Sequence, residues 1–345
     1  MQRINWIDWA KALAVITVVF CHLPQSQEWF YYRYLQACII TIFFFLSGYL
    51  KKDRGSDKEN WKKYWHGLIL PYIIYNVLVY PYWLVKYYML NGGMPDLFSA
   101  IKPIIGAMLF EHSCSFAEPL NGPLWYLPAI LFMHVIIDLC RKTRYLHQIM
   151  IVLCILSFFL YAANKYFFFM PDLTPMGIMS RLPYYYIGYY MGQRQLFSQI
   201  RLKHDFIQFL LLFSLSIFIF HWHLQLFYTG DMIHFYSTDY LWHITLFYPI
   251  NICFLIAFLS GCKILDFVKT KVITNLSIGT LVVIGLHYPL ITAINFIFNH
   301  LLDIEDGICY HWYTALPIAL IITILLYPII IYAKKKRPAL IGKKK

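Results

Sequence analysis

The sequence predicts an all-α, polytopic membrane bundle of about ten transmembrane helices, with both termini in the cytoplasm. Three observations carry that expectation. Of the 345 residues, 60% are hydrophobic and 13% charged, against roughly 25% charged in soluble domains. Apolar stretches recur along the whole chain, each close to the ~20 residues a helix needs to cross the hydrocarbon core. With the N-terminus inside, 24 of the 29 Lys and Arg fall in inside segments, which is the positive-inside pattern. The net charge of +12 therefore reports orientation, and no nucleic-acid partner is expected.

In order, the spans are expected at about 7–24, 34–50, 67–89, 124–140, 148–168, 181–196, 206–222, 241–261, 276–298 and 312–333. The first follows Arg3 without a small-residue cleavage site and reads as a retained helix, not a signal peptide. The sixth, RLPYYYIGYYMGQ, is the weakest, being short and rich in Tyr and Gly. Trp6, Trp9, Trp61, Trp65, Trp125 and Trp312 sit near expected span ends, where indoles favour the headgroup region. Prolines such as Pro71, Pro128, Pro183 and Pro289 are tolerated in lipid where broken backbone is buried or lines a wet cavity. Residues 1–333 read as one membrane domain and 334–345 as a basic cytoplasmic tail. The eight Cys lack CxxC or zinc spacing. Cys114 and Cys309 are expected outside, which leaves a pairing open. His221 and His223 point about 160° apart on a helix, so no metal site is expected.

The first span carries the most informative pattern. At 100° per residue, Asp8, Lys11 and His22 share one face within about 60°. His22 lies 14 residues beyond Asp8, roughly 21 Å along the axis. Ionisable groups inside a span usually face a bundle interior or cavity. An interfacial Asp8–Lys11 pair and a histidine at the outer water boundary would explain the same residues. His287, in the middle of a mainly apolar span, is a functional candidate on the same ground, and a buried hydrogen bond explains it equally well.

Six stretches, in order, resemble the acyltransferase-3 family of integral membrane O-acyltransferases. The opening RINWIDWAKALAVITVVFCHL matches its start through Arg3, Ile7, Asp8, Lys11 and His22. TIFFFLSGYLKK resembles its aromatic SGY segment through Phe43, Phe44, Phe45, Ser47, Gly48 and Tyr49. YWHGLILPYIIYNVL, GPLWYLPAILF, RLPYYYIGYYMG and GTLVVIGLHYPL resemble its later helices. Where some members carry Arg-x-x-Arg, this chain has Lys51-Lys52-Asp53-Arg54, so the bidentate guanidinium at position 51 is missing. Many members also carry a fused hydrolase-like domain outside the membrane, and none is expected here.

The resemblance implies transfer of an acetyl or other short acyl group from cytoplasmic acyl-CoA, along a channel between helices, to a hydroxyl of a cell-surface or lipid-linked carbohydrate. His22 is then the expected general base, with an acyl-histidine intermediate as a second route. Arg3, Lys11, Lys51, Lys52 and Arg54 are candidate contacts for the CoA phosphates. Asp8, Ser47 and His287 are expected to support or orient these groups. Asn121 and Trp125 are candidate acceptor contacts, Trp125 by stacking on a sugar face or merely by anchoring at the interface. Glu111, His112 and Glu118 in the longest outer loop are weaker candidates for the same role. No permanently bound cofactor and no metal are expected; acyl-CoA enters as a substrate, and the bilayer is the other partner. The expected location is the cell membrane, as a multi-pass protein of the bacterial inner membrane type. A transporter or flippase of a lipid-linked saccharide, or a binding module without turnover, would use the same cavity.

Overall fold

The computed structural model describes residues 3–26, 29–52, 56–110, 120–167, 174–197, 199–227, 239–302 and 309–343. It is 85% helix, with no strand among the described residues. The helices are α1 (Asn5–His22), α2 (Phe30–Leu50), α3 (Asp57–Tyr64), α4 (Leu70–Asn91), α5 (Leu97–Met108), α6 (Tyr126–Cys140) and α7 (Leu146–Phe167). They continue as α8 (Thr174–Gln193), α9 (Leu202–Phe227), α10 (Asp239–Ile264), α11 (Lys271–Ile278), α12 (Thr280–Leu302) and α13 (Trp312–Lys336).

Each of the ten expected segments falls on a long helix, yet among the described residues seven helices are long and apolar enough by themselves to cross a membrane. They are α2, the continuous α3–α4 rod, α6, α9, α10, α12 and α13. α1 falls short because Asn5, Asp8, Lys11 and His22 interrupt its apolar run. The described apolar part of α7 is the shorter Leu146–Leu160, and α8 is the Tyr- and Gly-rich segment.

Local sequence explains the breaks. α3 opens on a capping box, in which Ser56 and Glu59 satisfy each other's backbone N–H. A π-helical turn, Trp65–Ile69, joins it to α4. Pro71 has no N–H to give the Gly67 carbonyl, so the α-helical ladder cannot run straight through. In α12, Pro289 likewise leaves the Gly285 carbonyl without its usual donor. The side-chain amide of Asn121 donates to that carbonyl instead, at 2.7 Å.

α1 lies at the centre, packed against α2, α10, α11, α12 and α13. Ala10, Ala12, Ala14, Val15 and Val19 are fully buried, as suits a helix surrounded on all sides. Its start is tied down by otherwise unsatisfied backbone donors. The Trp6 N–H donates to the Asp266 carboxylate at 2.8 Å, and the Asn5 amide to the Asp266 carbonyl at 2.6 Å. Exposed Leu210, Leu211, Leu215 and Phe218 on α9, with Ile321, Ile324 and Leu325 on α13, form the outer surface. Such extended apolar faces suit lipid rather than water. The α9–α10 hairpin is cross-linked by Lys263 and Asp205, both buried, at 2.7 Å.

The segment expected to be a tail is partly structural. Lys334, Lys335 and Lys336 form the last turn of α13. A short 3₁₀ turn, Pro338–Ile341, then packs against α4 and α12. There the Tyr75 hydroxyl donates to the Leu340 carbonyl at 2.8 Å, and Ile341 is buried.

The glycines that made the sixth span look weak are its contact surface. α2 and α8 pack backbone to backbone: a methyl at Gly188 would collide with the Phe45 carbonyl, one at Gly192 with that of Tyr49, and one at Gly48 with that of Tyr185. Small residues at i and i+4 allow this approach where no hydrophobic effect drives helices together. Gly188→Ala is therefore expected to destabilise the fold by at least about 1–3 kcal/mol, read as loss of the monodisperse species in detergent. Gly93→Ala, at a position with nothing within 4 Å, is expected to be silent in the same measurement.

Candidate active site

A cavity of 530 Å³ opens at the end of the bundle where α1, α3 and α12 begin and α2 and α6 end. That volume lies within the range of small-molecule sites, about 300–1,000 Å³. Lys11, Lys51, Lys52 and Lys63 make its wall basic. Ser47, Asn60, Tyr64, His134, Ser277 and Thr280 add polar groups, and the rest of the wall is mainly apolar. The lining residues furthest from this basic end are Phe43, Tyr126, Leu127 and Ile284.

The four lysines are not equivalent. Lys51 is buried, its ammonium 2.8 Å from the Asp138 carboxylate and 2.7 Å from the Tyr64 hydroxyl. Asp138 also takes the Arg141 guanidinium at 3.3 Å. The charge of Lys51 is thus matched by α6, and its position locks α2 to α6. Lys11 and Lys52 line the cavity without a hydrogen-bonded or ion-paired partner among the described residues. Arg3 is drawn away: its guanidinium grips both oxygens of Asp8 and donates to the Thr274 carbonyl at 2.9 Å. The Ser277 hydroxyl completes Asp8 at 2.7 Å. Asp8 therefore pins α1 to α11.

His134, which sequence reasoning passed over, is in the cavity wall. Its ring stacks on Tyr64 at 5.1 Å, and its Nδ1 is 2.5 Å from the Tyr185 hydroxyl. The clue was available: it is an ionisable residue in the middle of an apolar helix, the same signal that marks His287.

Beyond the cavity's far wall sit two imidazoles. The His22 and His287 rings meet edge to face, with centroids 4.8 Å apart and planes at 75°. The Tyr288 ring lies 6.0 Å from His22. His22 Nδ1 is 2.8 Å from the Val18 carbonyl, and His287 Nδ1 is 2.8 Å from that of Val283 and 3.1 Å from that of Ile284. A carbonyl only accepts, so Nδ1 carries the proton in both rings and Nε2 presents its lone pair. His287 Nε2 is buried and without a partner among the described residues. Ile284 precedes His287 by one helical turn on the same face. On α12 the cavity's lining reaches Ile284, and neither imidazole is in its wall.

The remaining candidates are placed as follows. Ser47 lines the cavity and shares a hydrogen bond of 2.8 Å with the Tyr126 hydroxyl. Asn121 is buried with its amide engaged on α12, and its Oδ1 has no partner among the described residues. Trp125 packs on Phe44 with ring centroids 5.9 Å apart and is not in the cavity wall. Arg54, Glu111, His112, Glu118 and Cys114 lie outside the described residues.

An all-helical bundle with lipid-suited faces, a basic cavity and a pair of facing imidazoles defines a multi-pass membrane protein. The family model described as an acyltransferase domain matches residues 4–333. The chain belongs to this family, acyltransferase-3, over nearly its whole length, and it is a membrane acyltransferase by that membership. No curated protein and no solved structure matches it.

The Lys51–Asp138 pair gives a test of the cavity's scaffold. Asp138→Ala leaves a buried ammonium without its carboxylate and is expected to cost about 3–5 kcal/mol. Replacing both partners, Lys51→Met with Asp138→Leu, should recover the share of that loss due to the buried ammonium, since Arg141 keeps Asp57 as a partner at 3.4 Å. Thermal unfolding in detergent checks both variants.

Proposed function

We propose that this chain is an acyl-CoA-dependent O-acyltransferase of the cell membrane that modifies a hydroxyl of a surface or lipid-linked carbohydrate. In this reading ten helices cross the bilayer with both termini inside, so the basic cavity faces the cytoplasm. The observation that carries the proposal is the His22 Nε2 lone pair, set by backbone hydrogen bonding and placed beyond a basic cavity on the helix that also supplies Lys11.

The chemistry follows from charge and shape. The CoA phosphates are anions that lipid rejects, and Lys11 and Lys52 offer cations at the mouth. Lys51, though paired, keeps the local potential positive together with Lys63. The thin pantetheine arm lies in the cavity with its thioester toward Ile284. A carbohydrate hydroxyl donates to His22 Nε2, which takes its proton as the oxygen attacks the thioester carbon. The new C–O bond forms, the C–S bond breaks, and the proton passes from His22 to the leaving thiolate, giving an ester and free CoA. Both open ring nitrogens are acceptors, so what they lack is a donor. A sugar supplies hydroxyl donors, and His287 holds the His22 ring edge-on for that encounter. The hydroxyl meets the thioester at the level of Ile284, approaching from the His22 side.

Membranes carrying the full chain, incubated with labelled acetyl-CoA, should transfer label to extractable glycan. His22→Ala is expected to lower that transfer about 10²–10⁴-fold; transfer at the full rate would remove His22 from the mechanism. The donor site has its own signature. Its apparent KM for acetyl-CoA should rise with ionic strength as salt screens the lysines, and a constant KM would argue against phosphate binding there.

A further inference from the structure

We propose that Ile284, with Leu127 and Phe43, limits the length of the acyl group that this protein transfers. The inference rests on the acyl-CoA reading above and goes on to assign a residue to donor selection. A thioester carbon is planar. Its sulfur comes from the cavity below and the hydroxyl attacks across the plane, so the acyl chain must lie sideways, at the level where the cavity stops. That level is densely packed: Phe43 is 4% exposed, Leu127 1% and Ile284 5%.

The packing is held in place. The Tyr126 hydroxyl donates to the Phe43 carbonyl at 3.1 Å and is tied to Ser47 at 2.8 Å, so the Tyr126 ring, on which the Phe43 ring packs edge-on at 5.7 Å, cannot swing aside without losing both bonds. On α1, the face between Lys11 and His22 carries Ala14, Val15 and Val18, which are buried and small. A methyl group fits such a junction with minor adjustment. Each added methylene must displace a close-packed side chain. Ile284 and Leu127 are the adjustable members, because their side chains make no hydrogen bonds and their truncation leaves the polar network intact.

The test uses membranes carrying the full chain and labelled acetyl-, propionyl- and butyryl-CoA, and reads the ratio of butyryl to acetyl transferred to glycan within each preparation. That ratio is independent of how much folded protein a variant yields. Wild type is expected to favour acetyl over butyryl by at least ~10-fold, the discrimination that small changes in apolar chain length permit. Ile284→Ala should narrow the gap about tenfold, and Leu127→Ala should move it the same way. Equal use of acetyl and butyryl by wild type would overturn the inference and leave the acyltransferase reading standing. So would an unchanged ratio in both variants. No transfer by wild type from any of the three donors would instead overturn the donor reading, and this inference with it.

Discussion

Two hydrogen bonds set the chemistry open to the end of the bundle beyond the basic cavity. Each joins an imidazole Nδ1–H to a carbonyl one turn back on its own helix, His22 to Val18 and His287 to Val283. The backbone, not a carboxylate, thus selects the tautomer. The acid on α1, Asp8, is some 14 residues away, roughly 21 Å, and is engaged by Arg3 and Ser277. Because helix carbonyls are fixed in direction, both Nε2 lone pairs are oriented before any substrate arrives. Orientation of this kind is what a general base needs. It also explains why a buried ring such as His287 is tolerated with one nitrogen open: half its hydrogen-bonding capacity is met by its own helix.

Charge at the opposite end is divided between fastening helices and facing the cavity. Arg3 with Asp8 holds α1 to α11, Lys51 with Asp138 holds α2 to α6, and Lys263 with Asp205 holds α10 to α9. Each is a partly or wholly buried pair whose partners depend on one another. Lys11 and Lys52 take no part in this fastening. The result is a rigid rim with cations facing a cavity, the arrangement that suits an anionic substrate.

The helical segments and the His22 stripe were legible in the sequence because periodicity and hydropathy are properties of single helices. What one helix touches is not. The helical wheel put Asp8, Lys11 and His22 on one face, but it could not show that Asp8 meets Arg3 and Ser277 while Lys11 faces the cavity. Charge counting treats Lys51 and Lys52 alike, although one is buried against Asp138 and the other exposed. Asn121 looked like a loop residue facing an acceptor; its amide instead repairs the carbonyl gap left by Pro289. His134 lies just past the GPLWYLPAILF stretch, outside every matched motif, so only its place within an apolar helix marks it. Gly188 and Gly192 looked like defects in a span and proved to be its seam with α2. The expected passage to His22 depends on how the helices pack, and the cavity's lining reaches Ile284 without including His22.

The central claim is spatial: an acyl donor enters from the basic end and presents its carbonyl beneath His22. A structure of the full chain with an unreactive thioether analogue of acetyl-CoA measures this directly. The account predicts phosphates beside Lys11 and Lys52, the arm along Ser47 and His134, and the acyl carbonyl at Ile284 facing the His22 ring. An analogue bound elsewhere on the bundle, or seated in the cavity with its acyl end pointing back toward the lysines, would contradict it.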